Sequence, residues 1–140
     1  MVYLLLAAKK GEIDMPKEEI MKYPLKNPLA VNELLIDLYN CEADLNNETA
    51  LLSLVTEAAK IAGAHVLQAS VHRFSPMGCS VIVILKETHI SIHTWPEFRF
   101  AALDIFLCGE SLDPFVAWNH IKEHLQPGSF ELKELPREIK

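Results

Sequence analysis

Hydrophobic and polar positions follow a strand or helix period through most of the chain after residue 30. Leu34, Ile36 and Leu38 share one face of the segment 31–40, which predicts a strand with one buried face. The other segments that are typical of strands, by alternation or by a short β-branched run, are 64–74, 79–85, 89–95, 100–108 and 129–135.

Two further segments have the spacing of helices. In the segment 48–62, apolar residues recur at intervals of three and four, with Asn47 as a suitable N-cap and Gly63 as a stop. The second helix is predicted to begin after Asp113 with Pro114 at its first position, and to end before a Pro-Gly pair. Its apolar face consists of Trp118, Ile121 and Leu125.

The order of elements is strand, helix, three or four strands, helix and strand. Short turns between the central strands favour antiparallel pairing. We therefore predict an α+β fold, a two-layer sandwich in which one antiparallel sheet carries helices on one face. The other face of the sheet must also be covered, and its apolar strands favour a dimer in which two sheets pack on each other.

The 140-residue chain is long enough for one domain with a real core but short for two. Residues 9–28 are polar and contain three prolines, so we expect them to precede the folded core. The prediction is an N-terminal extension of unknown role at 1–28 and one domain at 29–140.

Charge and cysteine content exclude several classes of protein. The formal net charge is -6 and no Lys/Arg cluster stands out, which disfavours an electrostatic nucleic-acid binder. Three scattered cysteines without a CxxC pair argue against a zinc ribbon or a disulfide scaffold and fit a reducing cytoplasm. The apolar run "VYLLLAA" is too short to span a bilayer, and its lysines follow it, contrary to the order in a signal peptide.

The most polar stretch beside an apolar run is "KETHISIHTWPE" at 86–97. Strand alternation places His89, Ser91, His93 and Trp95 on one face of it. The two histidines would then lie about 13 Å apart, too far to chelate one metal ion without help from the fold, so no metal is expected. Each of these residues alone is typical of a hydrogen-bonded structural position, but so many polar groups beside a core are costly unless they are used.

Four segments together resemble the prokaryotic S-adenosylmethionine decarboxylases: "HRFSPMGCS", "KETHISIHTWPE", "AALDIFLCGE" and "DPFVAWNHIKEHL". The resemblance runs from about Val31 to Leu125 in uninterrupted order. It implies a carboxy-lyase made as a proenzyme that cuts itself and converts the new N-terminus into a pyruvoyl group. That group forms a Schiff base with the substrate amine, and the decarboxylated product serves spermidine biosynthesis.

The resemblance also implies roles for individual residues. The cut falls between Glu87 and Thr88, and His93 assists the elimination step of self-processing. Ser80 is the hydrogen-bonding helper of His93, and Cys108 is the proton donor in decarboxylation. The residues implied in substrate binding are Phe74 and Trp95, which sandwich adenine, and Glu97, which binds ribose. Each site is completed by a second protomer, so a homodimer is implied.

Three positions depart from the family pattern. Thr88 replaces the usual serine, so its processing would give a 2-oxobutanoyl group, and β-branching predicts slower cleavage or none. Arg99 takes a position where glycine is common and could meet a substrate carboxylate or point to solvent, the latter being the safer expectation. Glu33 takes a position often given to histidine.

Three functions therefore remain open. The first is an active S-adenosylmethionine decarboxylase, which the retained Ser80, His93 and Cys108 favour. The second, favoured by Thr88, is an unprocessed, non-catalytic relative that acts as a binding or regulatory partner. The third is a decarboxylase of arginine or ornithine, against which the aromatic pair and Glu97 argue, because a substrate without a nucleoside needs no aromatic clamp.

Overall fold

In a computed structural model of the chain, the structure is described for residues 30–109 and 111–138. The chain order is strand, helix, four strands, helix and strand. The elements are β1 (Ala30–Tyr39), α1 (Glu48–Ile61), β2 (Val66–Arg73), β3 (Cys79–Leu85), β4 (Thr88–Trp95), a short 3₁₀ turn (Pro96–Phe98), β5 (Phe100–Cys108), α2 (Pro114–Leu125) and β6 (Ser129–Glu138).

The six strands form one antiparallel sheet in the order β2-β3-β4-β5-β1-β6. Both helices pack on the same face, α1 against β2, β3 and β4, and α2 against β5 and β1. The α+β sandwich predicted from the sequence is therefore confirmed. The dimer is not tested by a single chain and stays a prediction.

The core lies between the helices and one face of the sheet. Alternate residues of the central strands, such as Val81, Ile92 and Ile105, are fully buried there against α1 and α2. Residues at the intervening positions face away from the helices, and two of them, Ile82 and Ile84, are each 43% exposed. The face without helices, called the open face below, carries most of the residues singled out by the sequence.

Both helices begin as the sequence predicts. The side chain of Asn47 accepts a hydrogen bond from the backbone N–H of Ala50, and that of Asp113 accepts one from Phe115. Differences at other boundaries are small. The strand β4 begins at Thr88 and not at 89, and β6 continues three residues beyond the predicted end at 135.

The predicted extension at 1–28 lies outside the described residues. Within them, no helix is long and apolar enough to cross a membrane.

Candidate active site

Pairing of β3 with β4 brings two of the predicted site residues together. Ser80 lies directly opposite His93 in the antiparallel register. The side-chain Oγ of Ser80 is 2.6 Å from Nδ1 of His93, and both residues are partly buried. This short contact fixes the orientation of the imidazole ring and leaves its Nε2 atom free to face a ligand or a proton.

The same histidine lies at the edge of a cavity of about 400 Å³. Phe74 enters it from the β2–β3 turn, and Trp95 and Glu97 enter it from the end of β4 and the 3₁₀ turn. Of the site residues named from the sequence, this cavity collects Phe74, Ser80, His93, Trp95 and Glu97. Two half-exposed aromatic rings with a carboxylate beside them can hold a flat, partly polar ligand.

The β2–β3 turn approaches β4 closely because Gly78 has no side chain. Gly78 has φ +95°, and a Cβ at this position would lie 2.8 Å from the backbone oxygen of Thr94. The Phe74 N–H donates a hydrogen bond of 2.8 Å to the Gly78 carbonyl, which closes the turn. The geometry of the turn therefore places Phe74 on the same side as Trp95.

The predicted cleavage bond lies in the tight turn between β3 and β4. Lys86 and Glu87 form the two-residue connection of this hairpin. The Glu87 carboxylate accepts a 3.0 Å hydrogen bond from the backbone N–H of His65 and contacts Nδ1 of the same residue at 2.5 Å. Burial opposes ionisation of Glu87, but these contacts with His65 hold the pKa of its carboxyl below the usual value.

Thr88, immediately after this turn, has an unusual backbone. Its φ is +156°, a region that a β-branched residue seldom occupies. The Thr88 hydroxyl donates a hydrogen bond to the backbone carbonyl of Phe106 on β5. The residue at the predicted cut is thus strained at its backbone and held at its side chain.

Cys108 is the last residue of β5 and is partly buried. Because His89 pairs with Phe106, Cys108 lies at the same end of the sheet as Thr88. His93 pairs with Ala102, which lies six residues before Cys108 on β5. His93 and Cys108 are therefore about 20 Å apart along the strands. The predicted site residues therefore form two groups at opposite ends of β4 and β5 within one chain.

The other histidine of the motif has a different partner. Nε2 of His89 lies 3.3 Å from the Asp104 carboxylate and its ring packs edge-on against Phe106. Asp104, Ser91 and His93 also line a second cavity of about 340 Å³ on the open face. Among residues 30–109 and 111–138, no group of three or more His, Cys, Asp or Glu side chains is arranged to hold a metal ion.

Comparison with known proteins decides the family. A family model described as S-adenosylmethionine decarboxylase matches residues 32–138. The chain belongs to this family. The S-adenosylmethionine decarboxylase proenzyme of Caldicellulosiruptor saccharolyticus is 41% identical over 105 residues, which cover 74% of this chain and 85% of that protein. The proenzyme of Acetivibrio thermocellus is 38% identical over 107 residues, 76% of this chain and 86% of that protein.

A solved structure agrees with this assignment. The crystal structure of the adenosylmethionine decarboxylase from Aquifex aeolicus matches with a TM-score of 0.74 and 30% sequence identity. The match covers 81% of this chain and 95% of the other. The resemblance read from the sequence motifs is therefore confirmed at the level of family and fold.

Two residues near the site, His65 and Arg99, make contacts that the sequence did not predict. His65 is 22 positions from Glu87, and no motif links them; only the start of β2 beside the β3–β4 turn brings them together. The Arg99 side chain is half exposed, in line with the expectation that it points to solvent, but its guanidinium also donates to the backbone carbonyls of Asn40 and Cys41 and pairs with Glu42. Glu33 pairs with Arg137 at 3.4 Å.

Proposed function

We propose that this protein is a proenzyme that cuts its own backbone between Glu87 and Thr88 and then decarboxylates S-adenosylmethionine. The product, decarboxylated S-adenosylmethionine, would supply spermidine biosynthesis in the cytoplasm. One observation carries the proposal: a single cavity collects Ser80, His93, Phe74, Trp95 and Glu97, the residues that the family motif assigns to processing and nucleoside binding. The family membership of the chain supports it independently.

Self-cleavage needs only groups that the chain carries. The Thr88 oxygen attacks the carbonyl carbon of Glu87, and the C–N bond breaks as an ester C–O bond forms. Loss of the Thr88 α-proton then expels the Glu87 carboxylate from the β-carbon. Water replaces the nitrogen of residue 88, which leaves as ammonia, and a 2-oxobutanoyl group remains at the start of the 88–140 fragment.

Thr88 fits the first of these steps. A hydroxyl that donates its proton to the Phe106 carbonyl keeps its lone pairs available for attack. The strained φ of Thr88 favours a reaction that breaks the bond before it. The methyl group of threonine crowds the ester, so we expect cleavage to be slower than it would be with serine.

His93 cannot assist this reaction within its own chain. It lies five residues from Thr88 on β4, about 16 Å away. A second copy packed on the open face in the opposite direction would bring its His93–Ser80 pair to the Thr88 end of the first. We therefore propose that the active unit is a homodimer with two sites shared between the chains.

In decarboxylation the keto group of the processed residue 88 supplies an electron sink for the electrons of the departing carboxylate. Phe74 and Trp95 stack on the two faces of adenine, and Glu97 accepts hydrogen bonds from the ribose hydroxyls. Cys108, at the Thr88 end of the sheet, donates a proton to the α-carbon of the substrate after the carboxylate has left. Ser80 continues to orient His93 through the 2.6 Å contact.

The direct test measures release of CO₂ from S-adenosylmethionine labelled at its carboxyl carbon. Arginine and ornithine, labelled in the same way, are assayed separately as alternative substrates. We expect release from S-adenosylmethionine alone, and a Cys108→Ala variant that cleaves normally but releases CO₂ about 10²–10⁴-fold more slowly. Release from arginine or ornithine would favour the third function. No release from an uncut chain would favour the non-catalytic relative, whose supporting observation is Thr88 itself.

A further inference from the structure

The loop between β1 and α1 connects the two walls of the nucleoside cavity. The first wall is the turn 74–78, which carries Phe74, and the second is the segment 94–97, which carries Trp95 and Glu97. Residues 40–46, called the brace loop below, bind both walls through three separate contacts, although residues 40–46 do not line the cavity itself.

Asn46 holds the first wall. Its side-chain Oδ1 accepts a 2.9 Å hydrogen bond from the backbone N–H of Gly78, 32 positions away. Gly78 is the residue whose carbonyl receives the Phe74 N–H. The orientation of the Phe74 turn therefore depends on the position of Asn46.

Thr94 ties the brace loop to both strands that flank the cavity. Its hydroxyl donates a 2.8 Å hydrogen bond to the Leu45 carbonyl and accepts one of 3.0 Å from the backbone N–H of Cys79. Thr94 is buried and directly precedes Trp95. This contact fixes the middle of the brace loop against the base of the aromatic pair.

Arg99 holds the second wall. Its Nε donates to the Cys41 carbonyl at 3.0 Å, and its Nη2 donates to Glu42 at 2.9 Å. In return, the Cys41 N–H donates to the Arg99 carbonyl at 3.0 Å. Arg99 has φ +51°, a left-handed conformation that is unfavourable for arginine, and it closes the 3₁₀ turn that carries Glu97.

We propose that the brace loop sets the distance between the two walls of the nucleoside cavity, with Asn46 and Arg99 as positioning residues for ligand binding. This inference rests on the proposed function, because it takes the ligand to be a nucleoside. Asn46 at one end of the brace loop holds the first wall, and Arg99, at the end of the 3₁₀ turn of the second wall, binds the other end of the same loop, so loss of either contact lets one wall move relative to the other. Neither residue needs to touch the ligand.

The test compares Asn46→Ala and Arg99→Ala with a matched control, Asn47→Ala. Asn47 is next to Asn46 and caps α1, so its loss destabilises the fold without touching either wall. All variants carry Thr88→Ala, which keeps every chain uncut, and calorimetry measures binding of S-adenosylmethionine. We expect the dissociation constant to rise about five- to tenfold for Asn46→Ala and Arg99→Ala, and less than twofold for Asn47→Ala.

Arg99→Lys provides a second comparison. A single ammonium group cannot reach both the Cys41 carbonyl and Glu42 in the planar geometry of the guanidinium, so we expect only partial recovery of affinity. If Asn46→Ala and Arg99→Ala weaken binding no more than Asn47→Ala does at an equal loss of thermal stability, the brace loop only stabilises the fold and the inference is wrong.

Amide hydrogen exchange, measured without ligand, distinguishes failure of the brace-loop inference from failure of the proposed function. Arg99→Ala should raise amide exchange in 96–99 and Asn46→Ala in 74–78, whereas Asn47→Ala should raise it only in α1. Absence of S-adenosylmethionine binding to every chain, with this exchange pattern present, would contradict the nucleoside site and leave the brace supported. Unchanged exchange at both walls would contradict the brace itself.

Discussion

Thr88 and His93 lie at opposite ends of the same strand, so their Cα atoms are about 16 Å apart and neither can reach the other within one chain. If both act in self-cleavage, each site must combine Thr88 of one chain with His93 of a second. A Thr88→Ala chain and a His93→Ala chain should then complement each other. In a mixed dimer, one site retains both residues.

Co-expression of these two variants under separate affinity tags tests this arrangement. We expect each variant alone to stay uncut or nearly so, and the His93→Ala chain to be cut in the mixed dimer at up to half the normal yield. Thr88→Ala supplies the intact His93–Ser80 pair but cannot be cut itself. Complete absence of cleavage in verified mixed dimers would contradict a site shared between the two chains.

Replacement of Thr88 by serine should accelerate cleavage. Serine presents the same hydroxyl without the methyl group that restricts χ1 and crowds the ester, and relief of ~1.4 kcal/mol would already give a tenfold faster reaction. The intact mass of Thr88→Ser, followed over time, measures the rate. Thr49→Ser, at an exposed position on α1, is the matched control and should cleave like the parent chain.

A Thr88→Ser chain that cleaves no faster than the parent would show that the β-branch is not what limits processing. In that case a later step, such as loss of the α-proton, would set the rate.

The Ser80–His93 contact should matter after ester formation and not before it. If His93 assists elimination, its replacement by alanine should slow that step by about 10²–10⁴-fold and leave the ester to accumulate. Ser80→Ala should have a smaller effect, about tenfold, because it removes one hydrogen bond that orients the ring. Hydroxylamine cleaves esters, so it should cut both variants at residue 87 when they are trapped at this stage.

Lack of hydroxylamine-induced fragments in His93→Ala would contradict this order of steps. It would indicate that His93 is needed for the attack by the Thr88 hydroxyl itself.

The contact between His65 and Glu87 predicts a pH dependence of stability. The pKa of Glu87 is lowered in the fold, so its stabilising contribution is present above the usual glutamate pKa, about 4.3, and is lost as the pH falls through and below that value. His65→Ala removes the ring contact. We expect a melting temperature about 1–4 °C below that of the parent at pH 7, since His65 is largely exposed, with the difference disappearing below pH 4.

His124→Ala is the control for loss of an exposed histidine, because the His124 side chain contacts the carbonyl and the ring of His120 on its own helix and lies away from Glu87. A difference between His65→Ala and the parent that stays constant from pH 7 to pH 3.5 would show that the Glu87 carboxylate is not involved.

Local signals in the sequence predicted the elements of this fold well. Asn47 and Asp113 cap the helices as expected, and the alternation of Leu34, Ile36 and Leu38 correctly predicted the buried face of β1. These signals depend on neighbours a few residues away. The order of strands in the sheet depends on pairing between distant segments, so periodicity alone could not give it.

The site was predicted less completely. The family motif identified Phe74, Ser80 and Trp95, which the fold brings to one cavity. Motif matching assigned Thr88 and His93 to the same reaction. It could not show that they lie at opposite ends of β4 in one chain, because a motif does not specify which chain supplies each residue. The contacts of Arg99 were also missed, since they join residues more than 50 positions apart.

The intact mass of the purified chain under denaturing conditions tests the central claim most directly. Self-cleavage at Glu87–Thr88 predicts two fragments, residues 1–87 and residues 88–140, the second beginning with a 2-oxobutanoyl group that blocks Edman sequencing. A single mass near 15.8 kDa after prolonged incubation, with no trace of either fragment, would contradict it.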